Sequence, residues 1–435
     1  MKRSLYNELI LWKQSVHRKP MIIRGARQVG KTWLMRTFGL QEYKKCVYLN
    51  CENNIRIKNI FTEDFDIQRI ISALEIESGQ KITMSDTLLI FDEIQEVPEA
   101  LTSLKYFQEE VPALHILAAG SLLGVAMHPN SSFPVGKVDF LDLAPLSFVE
   151  FLWAMKEDSL SDLLNNQDWT MIKAFKSRYT RLLRQYYYIG GMPEVVLRFT
   201  ESKEYAKARS LQQKILFTYE QDFSKHAPRE LIPRIRLVWN SIPSQLAKEN
   251  KKFIYGTLKN GARAREFELA IQWLIDSGLV CKVNRVNKSG IPLMAYEDFG
   301  AFKLFLADVG LMSAMADLDV KTLLEGNAAF EEFKGSLTEQ YVHQQLRVQK
   351  GLQIYYWSAE SSTSEIDFLV QYEGKNIPIE VKATENLQAK SLKVFHQKYK
   401  PERSVRISMS DYREDGWLTN LPLYAAGNLS LILAD

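Results

Sequence analysis

The sequence predicts an α/β fold whose first domain is built on a parallel sheet, and three observations carry that prediction. A short apolar run, Met21-Ile22-Ile23-Arg24, leads into Gly25-Ala26-Arg27-Gln28-Val29-Gly30-Lys31-Thr32 and then into a helix-compatible stretch from Trp33. Further on, Leu88-Leu89-Ile90-Phe91 runs straight into Asp92 and Glu93. A third apolar run, His115-Ile116-Leu117-Ala118-Ala119, ends at Gly120-Ser121. Short continuous apolar runs of this kind suit strands buried on both faces, as in a parallel sheet covered by helices.

The first element fixes the chemistry. Strand, GxxxxGKT and helix in that order form a P-loop, so the expected architecture is a P-loop NTPase sheet. Gly25 and Gly30 let the backbone turn so that its N–H groups face phosphates, and the helix start adds positive potential. Lys31 is expected to reach the β- and γ-phosphates of ATP, and the Thr32 hydroxyl to ligate Mg²⁺. Gly25, Ala26, Arg27, Gln28, Val29, Gly30, Lys31, Thr32 and Trp33 are therefore the expected nucleotide-binding residues.

The second element places two acids where a buried parallel strand reaches the carboxyl edge of its sheet, the edge at which ligands bind in open α/β folds. Asp92 is expected to hold Mg²⁺ directly or through water, and Glu93 to orient and deprotonate the attacking water. At the end of the third strand, Ser121 by itself reads as a serine closing a turn.

The order GARQVGKT, LLIFDEIQEVP, ILAAGSLL and then Leu143-Ala144-Pro145-Leu146-Ser147-Phe148 resembles a widespread prokaryotic group of AAA-type ATPases. Those proteins join an ATP-binding domain to a C-terminal domain of unknown function. The resemblance continues through Tyr188-Ile189-Gly190-Gly191-Met192-Pro193-Glu194 and covers nearly the whole chain. It implies a γ-phosphate sensor at Ser121. One departure concerns Gly136-Lys137, where the resemblance leads one to expect Gly-Arg. A lysine cannot make the forked contact of an arginine finger, so the residue serving that role stays open.

At 435 residues the chain exceeds what one core serves, so several domains are expected. The expected division is an ATPase core over 1–150, a helical lid over 151–228, a winged-helix-like module over 229–300 and a C-terminal α/β domain over 301–435. Charged and apolar residues at helical spacing, with few breakers, suit the lid. In the next segment, helices at 235–246 and 264–276 precede an alternating run, 278–285, that reads as a strand. The resemblance supports a winged helix there. Such a module can set a helix into duplex DNA, with Arg263 and Arg265 near its start, or dock a protein partner.

The C-terminal region holds a second constellation. Gly335-Ser336-Leu337-Thr338-Glu339 lies on an expected amphipathic helix, and Ser364-Glu365-Ile366-Asp367 and Ile377-Pro378-Ile379-Glu380-Val381-Lys382 alternate as half-buried strands do. The Asp-x(12)-Glu-x-Lys spacing resembles the PD-(D/E)xK nuclease fold. That resemblance implies a second Mg²⁺ held by Asp367 and Glu380, with Glu339 adding a ligand and Lys382 as the catalytic lysine. Acids tied up in salt bridges, or serving to bind another macromolecule, are the alternative.

Composition narrows the setting. Hydrophobic residues make up 46% and charged residues 25%, a globular composition rather than that of a fibre or a disordered chain. With 55 basic and 52 acidic side chains the net charge is +3, so any nucleic-acid face must be local. The three cysteines form no Cys-x-x-Cys pair and are expected to be reduced. The N-terminal segment lacks an apolar signal core, and the most apolar stretch, 113–127, is too short to cross a bilayer. A soluble, cytoplasmic protein is expected.

Three functions follow. The first is an ATPase, completed by a neighbouring copy in a homo-oligomer, that controls a DNA- or partner-binding module. The others are an ATP-regulated, Mg²⁺-dependent nuclease and a nucleotide-gated switch that scarcely hydrolyses ATP.

Overall fold

The structure is a computed structural model that describes residues 1–120, 133–248, 251–325, 331–359, 364–385 and 388–434. These residues divide into two compact units, 2–144 with 276–279, and 145–275 with 280–435.

The first unit contains a five-stranded sheet of β1 (Met21–Arg24), β2 (Lys45–Asn50), β3 (Thr87–Asp92), β4 (His115–Gly120) and β5 (Asp139–Asp142), in the order β2-β3-β4-β1-β5. Every pairing is parallel, as the continuous apolar runs predict. Strands β3 and β4 are buried along their whole length. On the sheet lie α1 (Leu5–Gln14), α2 (Lys31–Glu42) and further helices, with Ile57, Phe61, Ile70 and Leu74 packed against Val47, Leu89 and Phe91. Because β1 sits between β4 and β5, the loop leaving its carboxyl end opens at a reversal of strand order, the position where open α/β sheets bind ligands.

The second unit is helical up to Leu246 and then contains an eight-stranded mixed sheet. Its strands are β6 (Val280–Val286), β7 (Glu297–Leu306), β8 (Gln353–Ser358), β9 (Glu365–Tyr372), β10 (Lys375–Val381), β11 (Ser404–Ser408), β12 (Arg413–Asp415) and β13 (Leu418–Pro422). The order is β12-β13-β11-β10-β9-β8-β6-β7. Helix Lys390–Tyr399 packs Leu392 and Phe395 against Trp357, Ile366 and Leu369. Helix Glu331–Arg347 stacks His343 on Phe305 at 4.5 Å.

Two expected boundaries differ from what is observed. The hairpin β6–β7 follows helix Ala264–Asp276, as a wing would, but β6 also pairs in parallel with β8 at Arg285 and Val286. The hairpin therefore belongs to the large sheet rather than to a separate module ending at residue 300. The helices expected as a lid also pack within this unit. Asp308 Oδ2 accepts the Gly191 N–H at 2.6 Å, and Gln344 Nε2 donates to the Tyr186 hydroxyl at 3.0 Å. The Tyr186-Tyr187-Tyr188 run is buried in this packing. Among the described residues no helix is long and apolar enough to cross a membrane, and Cys46, Cys51 and Cys281 are free thiols.

Candidate nucleotide site

The loop after β1 takes conformations that its glycines permit. Gly25 has φ 148° and Gly30 φ 95°, and Gln28 between them is also left-handed at 65°. A Cβ on Gly25 would lie 2.2 Å from the Leu143 carbonyl oxygen, so only glycine fits there. Gly30 is the residue before α2 and has no side chain with which to cap that helix start. Its first N–H groups and its dipole therefore face the loop.

Lys31 is 6% exposed, and its ammonium donates to the carbonyls of Gly25 and Ala26, both at 2.8 Å. Burial pushes its pKa down to about 8, against the nearby charges of Glu93 and Asp92, with Arg27 adding to the decrease. The ammonium thus rests on backbone carbonyls inside the loop that it would use to grip phosphate.

Asp92 ends β3 and is 3% exposed. Its Oδ2 accepts from Thr32 Oγ1 at 2.7 Å and from the Tyr48 hydroxyl at 2.8 Å, and its Oδ1 accepts the Glu93 N–H at 3.1 Å. Burial, followed by the bond to Asp92, raises the Tyr48 pKa, so this hydroxyl stays a donor. Glu93 is left-handed at φ 51°, a conformation that costs a non-glycine residue and is held by its surroundings at functional sites. Gln95 Nε2 donates to Glu93 Oε2 at 2.7 Å and orients the carboxylate. Trp33 follows Thr32 with 46% exposure, and Arg27 is half-buried. Ser121 lies outside the described residues.

The hydroxyl of Thr32 and the carboxylate of Asp92 form a pair of hard oxygen donors beside a loop of N–H groups. They fit Mg²⁺ accompanied by a phosphate ligand, since that ion binds protein through few oxygens and keeps the rest of its shell for water and phosphate. Two contributors escape the sequence patterns. Tyr48 comes from the neighbouring strand β2, and Arg3, 6% exposed, donates from Nη1 to the Val29 carbonyl at 2.9 Å. Neither belongs to a contiguous motif; an apolar strand interrupted by a tyrosine was the one available hint for Tyr48. Lys137 pairs with Glu109 at 2.8 Å.

The second constellation differs from the metal site expected there. Glu339 lies against Asp367, with their carboxyl groups hydrogen-bonded to each other, and it also pairs with Lys251 and with Lys303 Nζ at 3.6 Å. Lys303 has no exposed side-chain surface, and its ammonium lies 2.5 Å from Glu365. Burial and then the adjacent Glu339 push the Asp367 pKa well up. Glu339, which burial alone would raise, is held down by Lys251 and then Lys303. Asp367 Oδ2 also accepts the Val381 N–H at 2.7 Å, while Glu380 pairs with Lys382 at 2.8 Å. Glu339, Asp367 and Glu380, the expected Mg²⁺ ligands, are each engaged with other groups of this unit. Glu339 and Asp367 lie against each other, with the ammonium groups of Lys251 and Lys303 beside Glu339. Among the described residues no group of three His, Cys, Asp or Glu side chains could hold a metal ion.

Residues 17–152 match the family model described as an AAA domain. Residues 180–322 and 334–424 match models described as domains of unknown function, DUF8612 and DUF4143. No curated protein matches the chain. Among solved structures, it is similar to a Walker-type ATPase of Pyrococcus abyssi, at 13% identity and a TM-score of 0.47, over 72% of this chain and 95% of that one. It is also similar to the Aeropyrum pernix Orc1 protein in complex with DNA, at 14% identity and a TM-score of 0.27, over 72% of this chain and 90% of that one. A third similarity is to the Thermotoga maritima RuvB Holliday junction branch migration motor, at 14% identity and a TM-score of 0.31, over 65% of this chain and 89% of that one. The family match, the parallel sheet and the glycine loop agree in giving residues 17–152 the character of an AAA-type P-loop domain.

Proposed function

We propose that the chain binds Mg²⁺-ATP in the loop 25–32, hydrolyses it, and uses the cycle to control its second compact unit. The observation that carries this reading is the 2.7 Å hydrogen bond from Thr32 Oγ1 to Asp92 Oδ2. It joins the hydroxyl that ends the glycine loop to the carboxylate that ends a buried strand, one residue before an acid suited to activate water. Thr32 and Asp92 would hold Mg²⁺, which would supply positive charge beside the phosphates. Lys31 exchanges the Gly25 and Ala26 carbonyls for phosphate oxygens. Glu93, oriented by Gln95, takes the proton of the attacking water. The exposed ring of Trp33 is proposed to flank the nucleotide; Ser121, the expected γ-phosphate contact, lies outside the described residues.

Lys137 is engaged with Glu109 and cannot fork across phosphate oxygens. A guanidinium from a second copy of the chain is therefore proposed to complete the site in a homo-oligomer. The proposed target of the second unit is duplex DNA, read through Arg263 and Arg265, which are exposed at the start of helix Ala264–Asp276. No nuclease step is assigned to Glu339, Asp367, Glu380 or Lys382: Glu339 is paired with Lys251 and Lys303, and Glu380 with Lys382.

The test is ATP binding, phosphate release and mass of the full chain, with and without duplex DNA. Glu93→Gln should keep ATP affinity, lose at least about a hundredfold in turnover, and form an oligomer when loaded. Turnover raised by DNA assigns DNA as the target, and turnover indifferent to DNA assigns a protein partner. Tight binding without turnover by the wild-type oligomer would replace the ATPase with a nucleotide-gated switch. A loaded chain that remains monomeric removes the shared site.

A further inference from the structure

We infer that Arg3 is a positioning residue for the phosphate loop, holding it in its binding conformation from behind; this rests on the ATP reading above. Arg3 precedes α1 and is 6% exposed. Its Nη1 donates to the Val29 carbonyl at 2.9 Å and its Nη2 to the Ala144 carbonyl at 2.5 Å. One planar guanidinium therefore joins the two backbone segments that enclose the loop. Those segments also meet directly, through the Leu143 N–H donating to the Arg24 carbonyl at 2.8 Å and through the close approach of Gly25 to Leu143.

The bond to Val29 has a consequence for phosphate. In a trans peptide the C=O and the following N–H point in opposite directions. Fixing the Val29 oxygen on Arg3 turns the Gly30 N–H away from Arg3, toward the side on which a P-loop receives phosphate. Without that anchor the peptide between Val29 and Gly30 can rotate, and glycine at 30 resists such rotation least. A lysine at position 3 offers a point charge in place of a fork and cannot span both carbonyls in the same way.

The clip is separable from the docking of α1. Leu9 and Trp12 are buried, and the Tyr6 hydroxyl donates to Glu42 Oε1 at 2.9 Å, so α1 has its own attachments. Removing the Arg3 guanidinium should loosen the loop while the helix stays in place.

The experiment measures equilibrium ATP affinity, turnover at saturating ATP and thermal midpoint on the full chain, for wild type, Arg3→Met, Arg3→Lys and Tyr6→Phe. Arg3→Met should weaken ATP binding about tenfold, the loss expected for a hydrogen bond to a charged group. Its saturated turnover should stay within about twofold of wild type, because Lys31, Thr32 and Glu93 are intact. Arg3→Lys should recover part of the affinity, and Tyr6→Phe should bind ATP as wild type does. Wild-type affinity in Arg3→Met overturns the inference and leaves the ATP reading standing. So does an equal loss in Tyr6→Phe, which would make Arg3 an attachment for α1 and nothing more. A wild-type chain that binds no ATP overturns both.

Discussion

Lys31 carries its charge into a nearly closed loop and rests there on two carbonyls, and that position sets a pH dependence. Burial lowers its pKa to about 8, below the 10.5 of a free lysine. The folded chain therefore releases this proton first as pH rises. Between those two values the unfolded chain holds more protons, so Lys31 adds stability with rising pH across that window. Phosphate binding runs the other way, because it needs the ammonium. ATP affinity should fall as pH passes through about 8, becoming about tenfold weaker at pH 9 than at pH 7; titration calorimetry in matched buffers checks this. A flat affinity up to pH 9.5 would mean that the charge of Lys31 does not contribute. At this scale legibility followed contiguity. The loop, Asp92 and Glu93 stand in unbroken runs whose local geometry is their meaning. Tyr48 and Arg3 reach the same site from other elements; an apolar strand interrupted by a tyrosine hints at the first, and nothing beside Arg3 announces the second.

Among the elements, the strands around the second constellation teach a different lesson. The helix and two strands carrying Glu339, Asp367, Glu380 and Lys382 are where their alternation puts them. What alternation could not reveal is the charge arriving from elsewhere: Lys303 on β7 and Lys251, both distant in sequence, meet Glu339. Lys303 lies wholly buried between Glu365 and Glu339, with the Tyr356 ring 4.9 Å from its ammonium. Removing one partner of such a cluster leaves buried negative charge uncompensated, at a cost of about 3–5 kcal/mol. Lys303→Met should lower stability by that amount in urea unfolding followed by far-UV circular dichroism. A change under about 1 kcal/mol would mean that the cluster is wet and weakly coupled. The wing shows the same limit: a helix and a following hairpin were readable, but the parallel pairing of β6 with β8 joins residues far apart in the chain.

Over the whole molecule, motif order placed the P-loop region first, and residues 17–152 match an AAA domain. The internal divisions were less legible. A lid and a wing were expected as separate pieces, whereas residues 145–275 and 280–435 cluster as one unit. Asp308 illustrates why. It is fully buried and ties the Gly190-Gly191 turn to the helix after β7, by accepting the Gly191 and Leu311 N–H groups. Each segment taken alone looks like a turn, and their union exists only in three dimensions. The central claim, that one chain-encoded loop binds and hydrolyses ATP, is tested most directly by Mg²⁺-dependent phosphate release from the purified full chain beside its Lys31→Ala variant. The account predicts release by the wild type and essentially none by the variant. Equal release by both would contradict it.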